Sequence, residues 1–453
     1  MYPYKAPLRD IKFSAFDVMD YSAHYAKLPG TSDLNFELVE AILEESAKFA
    51  ETTLAPLNAS GDQQGCQWKD GEVRTPEGFS AAFSEYAAGG WVGLSCDTEI
   101  GGQGLPRSLD SLVGEVRGAA NLSWSLCTVL GAGAINTLNA FGTDEQKETY
   151  LKPLVAGTWT ATMCLTEAHC GTDLGLLRTR AEPQADGSYA LSGSKIFITF
   201  GEHDMTDNIV HIVLARLPGA PPGSKGISLF IVPKFLLNAD GTLGARNSVV
   251  CGSIEEKMGI HGSPTCVMNF DQATGYLLGD ENRGLNAMFT FMNTMRLGTA
   301  AQGVIHADVA LQQAAQYASE RLQMRSLTGI KQPDAEADAI IVHPDVRRML
   351  LTQKAIAEGG RMFVHFMAQQ ADISLRSEDA ELKKQAEDAL SFTTPIGKAF
   401  LTELGLEAAN LGIQCFGGHG FIREAGVEQN FRDARISTLY EGNRYSGAGS
   451  FRP

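Results

Sequence analysis

The chain has 453 residues, 44% of them hydrophobic, and carries 37 Lys and Arg against 53 Asp and Glu, a formal net charge of -16. That length asks for two or three domains rather than one core. The acidic balance argues against nucleic acid or an anionic membrane surface as the main partner, because both would repel the molecule as a whole. Eight cysteines, at 66, 96, 127, 164, 170, 251, 266 and 415, show no C-x-x-C pair and no zinc-ligand spacing, as expected of reduced thiols in a cytoplasmic protein without a metal site. Residues 1–20 lack the apolar core of a secretory leader, and no later stretch is apolar for long enough to span a bilayer.

Residues 1–34 mix prolines and aromatics without periodicity and read as an arm packed on the body. From Asn35 to Leu57, Leu38, Ile42, Leu43, Phe49 and Leu54 fall at helical spacing with acidic residues between them, which predicts one amphipathic helix. Glycine-rich loops and a second helical region follow, and Thr143 before Asp144-Glu145-Gln146 reads as an N-cap. Residues 35–159 are thus expected to form a helical domain. At Trp159 the pattern turns to short β-branched and aromatic runs, with strands expected at 160–165, 189–200, 208–215, 227–232 and 265–270. No G-x-G-x-x-G follows a first strand, so a Rossmann site is not expected. Residues 160–283 make a middle β domain, and helical spacing returns in 284–453, with a polar linker at 328–337.

The chemistry gathers near the end of the chain. Arg435-Ile436-Ser437-Thr438-Leu439-Tyr440-Glu441-Gly442 follows the glycine-rich run Gln414-Cys415-Phe416-Gly417-Gly418-His419-Gly420-Phe421, so a carboxylate arrives on a turn after a helix. Alone, Tyr-Glu-Gly most often means a glycine helix cap. Upstream, however, stand Met163-Cys164-Leu165-Thr166-Glu167, Gly171-Thr172-Asp173, Lys195-Ile196-Phe197-Ile198-Thr199, Met295-Arg296 and Glu320-Arg321-Leu322-Gln323. In that order and approximate spacing, from about Asn35 to Gly442, the chain resembles the acyl-CoA dehydrogenases. The N-terminal arm and Met258-Gly259-x-His261-Gly262-Ser263-Pro264-Thr265-Cys266 are similar to a bacterial subgroup that includes 3-methylthiopropanoyl-CoA dehydrogenases.

The resemblance implies an α+β fold: an N-terminal helical domain, a middle antiparallel β-barrel and a C-terminal four-helix bundle, with FAD between them. It implies Glu441 as the base that removes the α-proton of an acyl-CoA while flavin N5 takes the β-hydride. For the cofactor it implies Leu165 and Thr166 at the flavin pyrimidine edge, and Phe197 and Thr199 at the ring and N5, placed on one face by strand alternation. Arg321 and Gln323 would reach the FAD pyrophosphate across a subunit interface, and Gln414, Gly417 and Gly418 its adenosine end. Thr172, Asn293 and Arg296 fall on the substrate side; Asn293 stands where many relatives carry an acid, and no proline precedes the Thr172 loop. His169 and Cys170 read as loop residues rather than a nucleophilic pair.

Partners implied are an acyl-CoA substrate, an electron-transfer flavoprotein and further copies of the chain, as a dimer or tetramer. Two alternatives keep the fold: a flavin-binding, DNA-associated stress protein, and an acyl-CoA oxidase. Asn443 to Pro453 departs from the family pattern, with glycines and serines that do not build a helix, and reads as a shortened tail.

Overall fold

The structure, a computed structural model, describes residues 2–442. The expected first helix starts at Phe36 as Phe36–Phe49, where the Asn35 side chain accepts from the Leu38 N–H at 2.9 Å. It does not run unbroken to Leu57. A wide π-type turn, Ala50–Leu54, intervenes before Pro56–Gln64. Pro56 has no N–H to bond back into the preceding turn, so it serves as the first residue of a new helix instead. Val39, Leu43 and Leu54 are buried against Leu109, Leu112 and Trp124 of the helices Arg107–Ala120 and Leu122–Phe141. Thr143 caps Asp144–Val155 in a reciprocal box with Gln146, whose amide also donates to the Leu277 carbonyl at 2.7 Å. That second bond ties the helical region to the β domain.

The arm is more ordered than its sequence suggested. It holds short helices Leu8–Lys12 and Tyr21–Lys27, and buries Ile11, Tyr21 and Tyr25. The Tyr21 hydroxyl donates to the His365 carbonyl and Tyr25 bonds Ser108, both at 3.0 Å, so the arm laces the N-terminal helices to the C-terminal ones.

The middle region is a seven-stranded sheet along Trp159–Cys164, Asn208–Ala215, Ser228–Pro233, Thr265–Leu277, Tyr189–Thr199 and Arg180–Pro183, with Val249–Ile254 also on Thr265–Leu277. Two features differ from the expected antiparallel barrel. Trp159–Cys164 and Asn208–Ala215 run parallel, and the ladder does not close. The 13-residue strand Thr265–Leu277 accounts for the folded-over shape: its start pairs with Tyr189–Thr199 and Val249–Ile254, its end with Ser228–Pro233. Across the gap lie an isolated bridge between Arg180 and Arg216 and a bond from the Ile196 N–H to the Thr166 carbonyl at 2.9 Å. Asn208–Ala215 and Ser228–Pro233 are buried along their whole length, which is why they read as continuous apolar runs.

Beyond the sheet come three long helices, Gly284–Glu320, Pro344–Arg376 and Ala380–Phe416, and a short fourth, Val427–Ser437. Gly303 and Gly405 let the first and third meet backbone to backbone: a Cβ on Gly303 would lie 2.0 Å from the Leu401 carbonyl oxygen. That contact fixes the helices that carry Arg296 and Lys398. The expected reading of Asn443 to Pro453 lies outside the described residues.

Candidate active site

Glu441 stands just past the end of Val427–Ser437, where Leu439 and Tyr440 still donate their N–H groups to the Ile436 carbonyl. Its backbone is left-handed, φ 56°, a conformation that costs a non-glycine residue on the order of 1–3 kcal/mol and is held only by what surrounds it. The surroundings come from all three parts of the chain. Asp433 accepts from the Ile260 N–H, Arg432 forks onto both oxygens of Asp62 at 2.9 and 2.6 Å, and Asn430 exchanges bonds with His306 at 2.8 and 3.0 Å. Gly259 carries no side chain because a Cβ there would lie 2.5 Å from the Arg432 backbone. Tyr440 then donates its hydroxyl to Gln302 at 2.5 Å. The corner is clamped on both sides of the turn.

Inside this clamp Glu441 has no hydrogen-bond donor among the described residues. Burial pushes its carboxyl up to about 7, against the pull of the Arg296 and Lys398 cations. Lys398 responds in kind: burial and the neighbouring Arg296 bring it down to about 8, with Glu441 opposing. Burial likewise lowers Arg296. An acid poised near neutrality between two cations is a carboxylate suited to taking a proton.

The middle-domain candidates gather elsewhere on one surface. Phe197 is 60% exposed, with φ 58°, at an irregularity where Ile196 and Phe197 face a single residue of the neighbouring strand. Plain alternation is therefore broken there, yet Ile198 and Phe200 are buried and leave Phe197 and Thr199 on the outer side. The hydroxyls of Thr166 and Thr199 have no partner among the described residues, whereas the Leu165 carbonyl accepts from Lys195 Nζ at 2.9 Å. Beneath them, Glu167 accepts from Lys195 Nζ at 2.8 Å, from Thr179 N–H and hydroxyl at 3.0 and 2.6 Å, and from the Arg178 N–H at 2.7 Å. Burial opposes its ionisation, but Lys195 and these donors win and hold it down to about 2. The pair stitches the Leu165 to Glu167 segment to the strand Tyr189–Thr199. His169 bonds the Leu176 carbonyl at 3.0 Å, in keeping with a loop role.

Arg321, Gln323, Gln414, Gly417 and Gly418 meet at the far end of the bundle. Tyr317, one turn before Arg321, stacks on Phe416 with ring centres 4.1 Å apart, and its hydroxyl meets His419 at 3.3 Å. The side chains of Arg321 and Gln323 make no hydrogen bond among the described residues, and Gly417 and Gly418 border open space. Asn293 is exposed one turn before Arg296, and Thr172 sits on an exposed loop. The sequence reading missed Lys398 and Gln302. Neither belongs to a motif; only the packing of the long helices brings them to the corner.

Comparison with known proteins points the same way. Family models described as the N-terminal, middle and C-terminal domains of acyl-CoA dehydrogenase match residues 37–158, 162–273 and 282–445. The chain is 44% identical to 3-methylmercaptopropionyl-CoA dehydrogenase of Ruegeria pomeroyi, over 97% of its own length and 74% of that protein's. It resembles the structure of butyryl-CoA dehydrogenase from Megasphaera elsdenii at 25% identity and a TM-score of 0.75, covering 92% of this chain and 97% of that one. It shares a fold with an acyl-CoA dehydrogenase from Bacillus anthracis that was solved with FAD: 24% identity, TM-score 0.76, and 93% and 68% coverage.

Proposed function

Since the chain belongs to the acyl-CoA dehydrogenase family, whose reaction is the dehydrogenation of acyl-CoA, we propose that it converts a short saturated acyl-CoA to the trans-2-enoyl-CoA with Glu441 as base. The observation that carries this reading is Glu441 itself: buried enough to sit near neutrality, without a donor, and clamped at a strained corner between Arg296 and Lys398. The α-proton passes to its carboxylate, and the two cations steady the charge distribution around it while the thioester enolises. By the family resemblance, the Glu441 N–H is one of the donors to the thioester oxygen.

The exposed Phe197 beside the unpaired hydroxyls of Thr166 and Thr199 suits a flat ring with polar edges, so these residues and Leu165 are the proposed holders of FAD. FAD supplies, when bound, the acceptor for the β-hydride. An electron-transfer flavoprotein is the proposed next acceptor.

Arg321 and Gln323, with Gln414, Gly417 and Gly418, are the proposed pyrophosphate and adenosine contacts, offered to a neighbouring copy. Arg296 and Arg321 stand on one helix, and at about 1.5 Å rise per residue they are roughly 37 Å apart. One extended dinucleotide does not bridge that distance within a chain. A groove of about 1200 Å³ beside this end, with Leu327 85% exposed and Leu351 and Phe400 also exposed, is an apolar surface suited to another subunit. The likeness to the Ruegeria pomeroyi protein makes 3-methylthiopropanoyl-CoA the first substrate to try.

The test is the absorption spectrum of purified, FAD-loaded protein mixed anaerobically with a panel of acyl-CoAs. Bleaching of the flavin band by short acyl-CoAs is expected, with slower reoxidation by air than by an electron-transfer flavoprotein. No bleaching with any acyl-CoA overturns the reading.

A further inference from the structure

A cavity of about 130 Å³ lies between the helices Arg107–Ala120, Leu122–Phe141 and Gly284–Glu320. Gln302, which holds the Tyr440 hydroxyl, is part of its wall, as are Thr294 and Leu297 on either side of Arg296. The cavity therefore lies along the stretch of helix that also carries the Tyr440 partner Gln302. Cavities of about 150 Å³ hold a benzene molecule, so this one suits an acyl tail of a few atoms.

One wall residue is out of character. Arg117 is buried, 9% exposed, and no carboxylate lies within salt-bridge distance of it among the described residues. The one hydrogen bond its side chain makes there goes to the Tyr86 hydroxyl, its guanidinium lies 5.5 Å from the Tyr86 ring centre, and its Nε is buried without a partner. A buried guanidinium with an unmet donor is costly unless something supplies an acceptor. Gly114, also in the wall, leaves the space beside it free: a Cβ there would come 3.6 Å from Arg117 Nη2. Arg361, on the neighbouring helix, shows the ordinary solution, with Glu115 at 2.7 Å and Asp308 at 3.1 Å.

Resting on the dehydrogenase reading above, we propose that Arg117 is a specificity residue that selects short acyl-CoAs whose tail carries a hydrogen-bond acceptor, such as an ether or thioether. The wall's other charged groups are Arg107, bonded to Asn136, and Asp110, whose carboxylate accepts from the Ser95 hydroxyl at 3.0 Å. A purely hydrocarbon tail would leave the Arg117 donor unmet.

The experiment compares four CoA esters of matched length, pentanoyl, 3-methoxypropanoyl, 3-methylthiopropanoyl and glutaryl, on the FAD-loaded wild type, Arg117→Met and Arg117→Lys. Turnover gives kcat/KM, and calorimetric titration into Glu441→Gln and Glu441→Gln/Arg117→Met gives binding without chemistry. The wild type should favour the three acceptor-bearing esters over pentanoyl on the order of ten- to a hundredfold. Arg117→Met should erase that ratio in both assays, and Arg117→Lys should retain part of it. Equal use of pentanoyl and 3-methoxypropanoyl by the wild type, or an unchanged ratio in Arg117→Met, overturns the proposal while leaving the dehydrogenase reading intact. Selective binding without turnover supports the role of Arg117 and overturns the dehydrogenase reading. Should Arg117→Met fail to fold, the Arg117→Lys ratio and the wild-type ester ranking decide.

Discussion

Glu167 and Glu441 are the same side chain in two settings of one molecule, and they end at opposite extremes. Glu167 meets an ammonium and three further donors and stays ionised down to about pH 2; Glu441 meets no donor and holds its proton up to about pH 7. Both are withdrawn from water, so withdrawal alone does not set the outcome. What differs is the donor set, and through it one glutamate becomes a rivet and the other is left free for the role of base proposed above.

The sharpest break of this contrast is Glu441→Gln, which keeps the shape and removes the base. Anaerobic flavin reduction should slow by about 10²–10⁴-fold with acyl-CoA binding retained; an undiminished rate would take Glu441 out of the mechanism. Next is Glu167→Ala, which strands the buried Lys195 ammonium. It should cost about 3–5 kcal/mol in a denaturant titration, far more than Glu441→Gln, and equal losses would erase the distinction drawn here.

Acid should separate the two further. Glu167, with its carboxyl lowered, contributes stability that is present above the ordinary glutamate range and disappears as pH falls toward about 2. Glu441, with its carboxyl raised, costs stability as pH rises through about 7, so Glu441→Gln should gain in melting temperature relative to wild type between pH 5 and 8. Over the same range the rate of flavin reduction should climb with pH and level off above about 7. The smallest effect expected is from Tyr440→Phe, which removes the bond to Gln302 and should cost about 1 kcal/mol, with a measurable loss in kcat and little change in fold.

Periodic segments were legible from the chain alone: the return of helical spacing after residue 284, the strand Asn208–Ala215 and the Thr143 cap all carry their reasons within a dozen residues. The arm was not, because Tyr21 and Tyr25 are ordered by partners at His365 and Ser108, far along the chain. Strand alternation at Phe197 failed for a related reason: the irregularity there is fixed by the register of Thr265–Leu277. Motif reading named Glu441 and Arg296, yet Lys398 and Gln302 have no local signature. They become neighbours of the corner only once glycine contacts such as Gly303 with Gly405 bring the helices together.

The fork from Arg432 to Asp62 has a reach beyond its own two side chains. It transmits the position of the Pro56–Gln64 helix to a carboxylate that lies nine residues further along, so the helix acts as a lever arm with its fulcrum in another domain. Displacing a reacting group by an ångström costs about a hundredfold in rate. A substitution such as Asp62→Asn, remote from substrate, should then register chiefly as a slower enzyme.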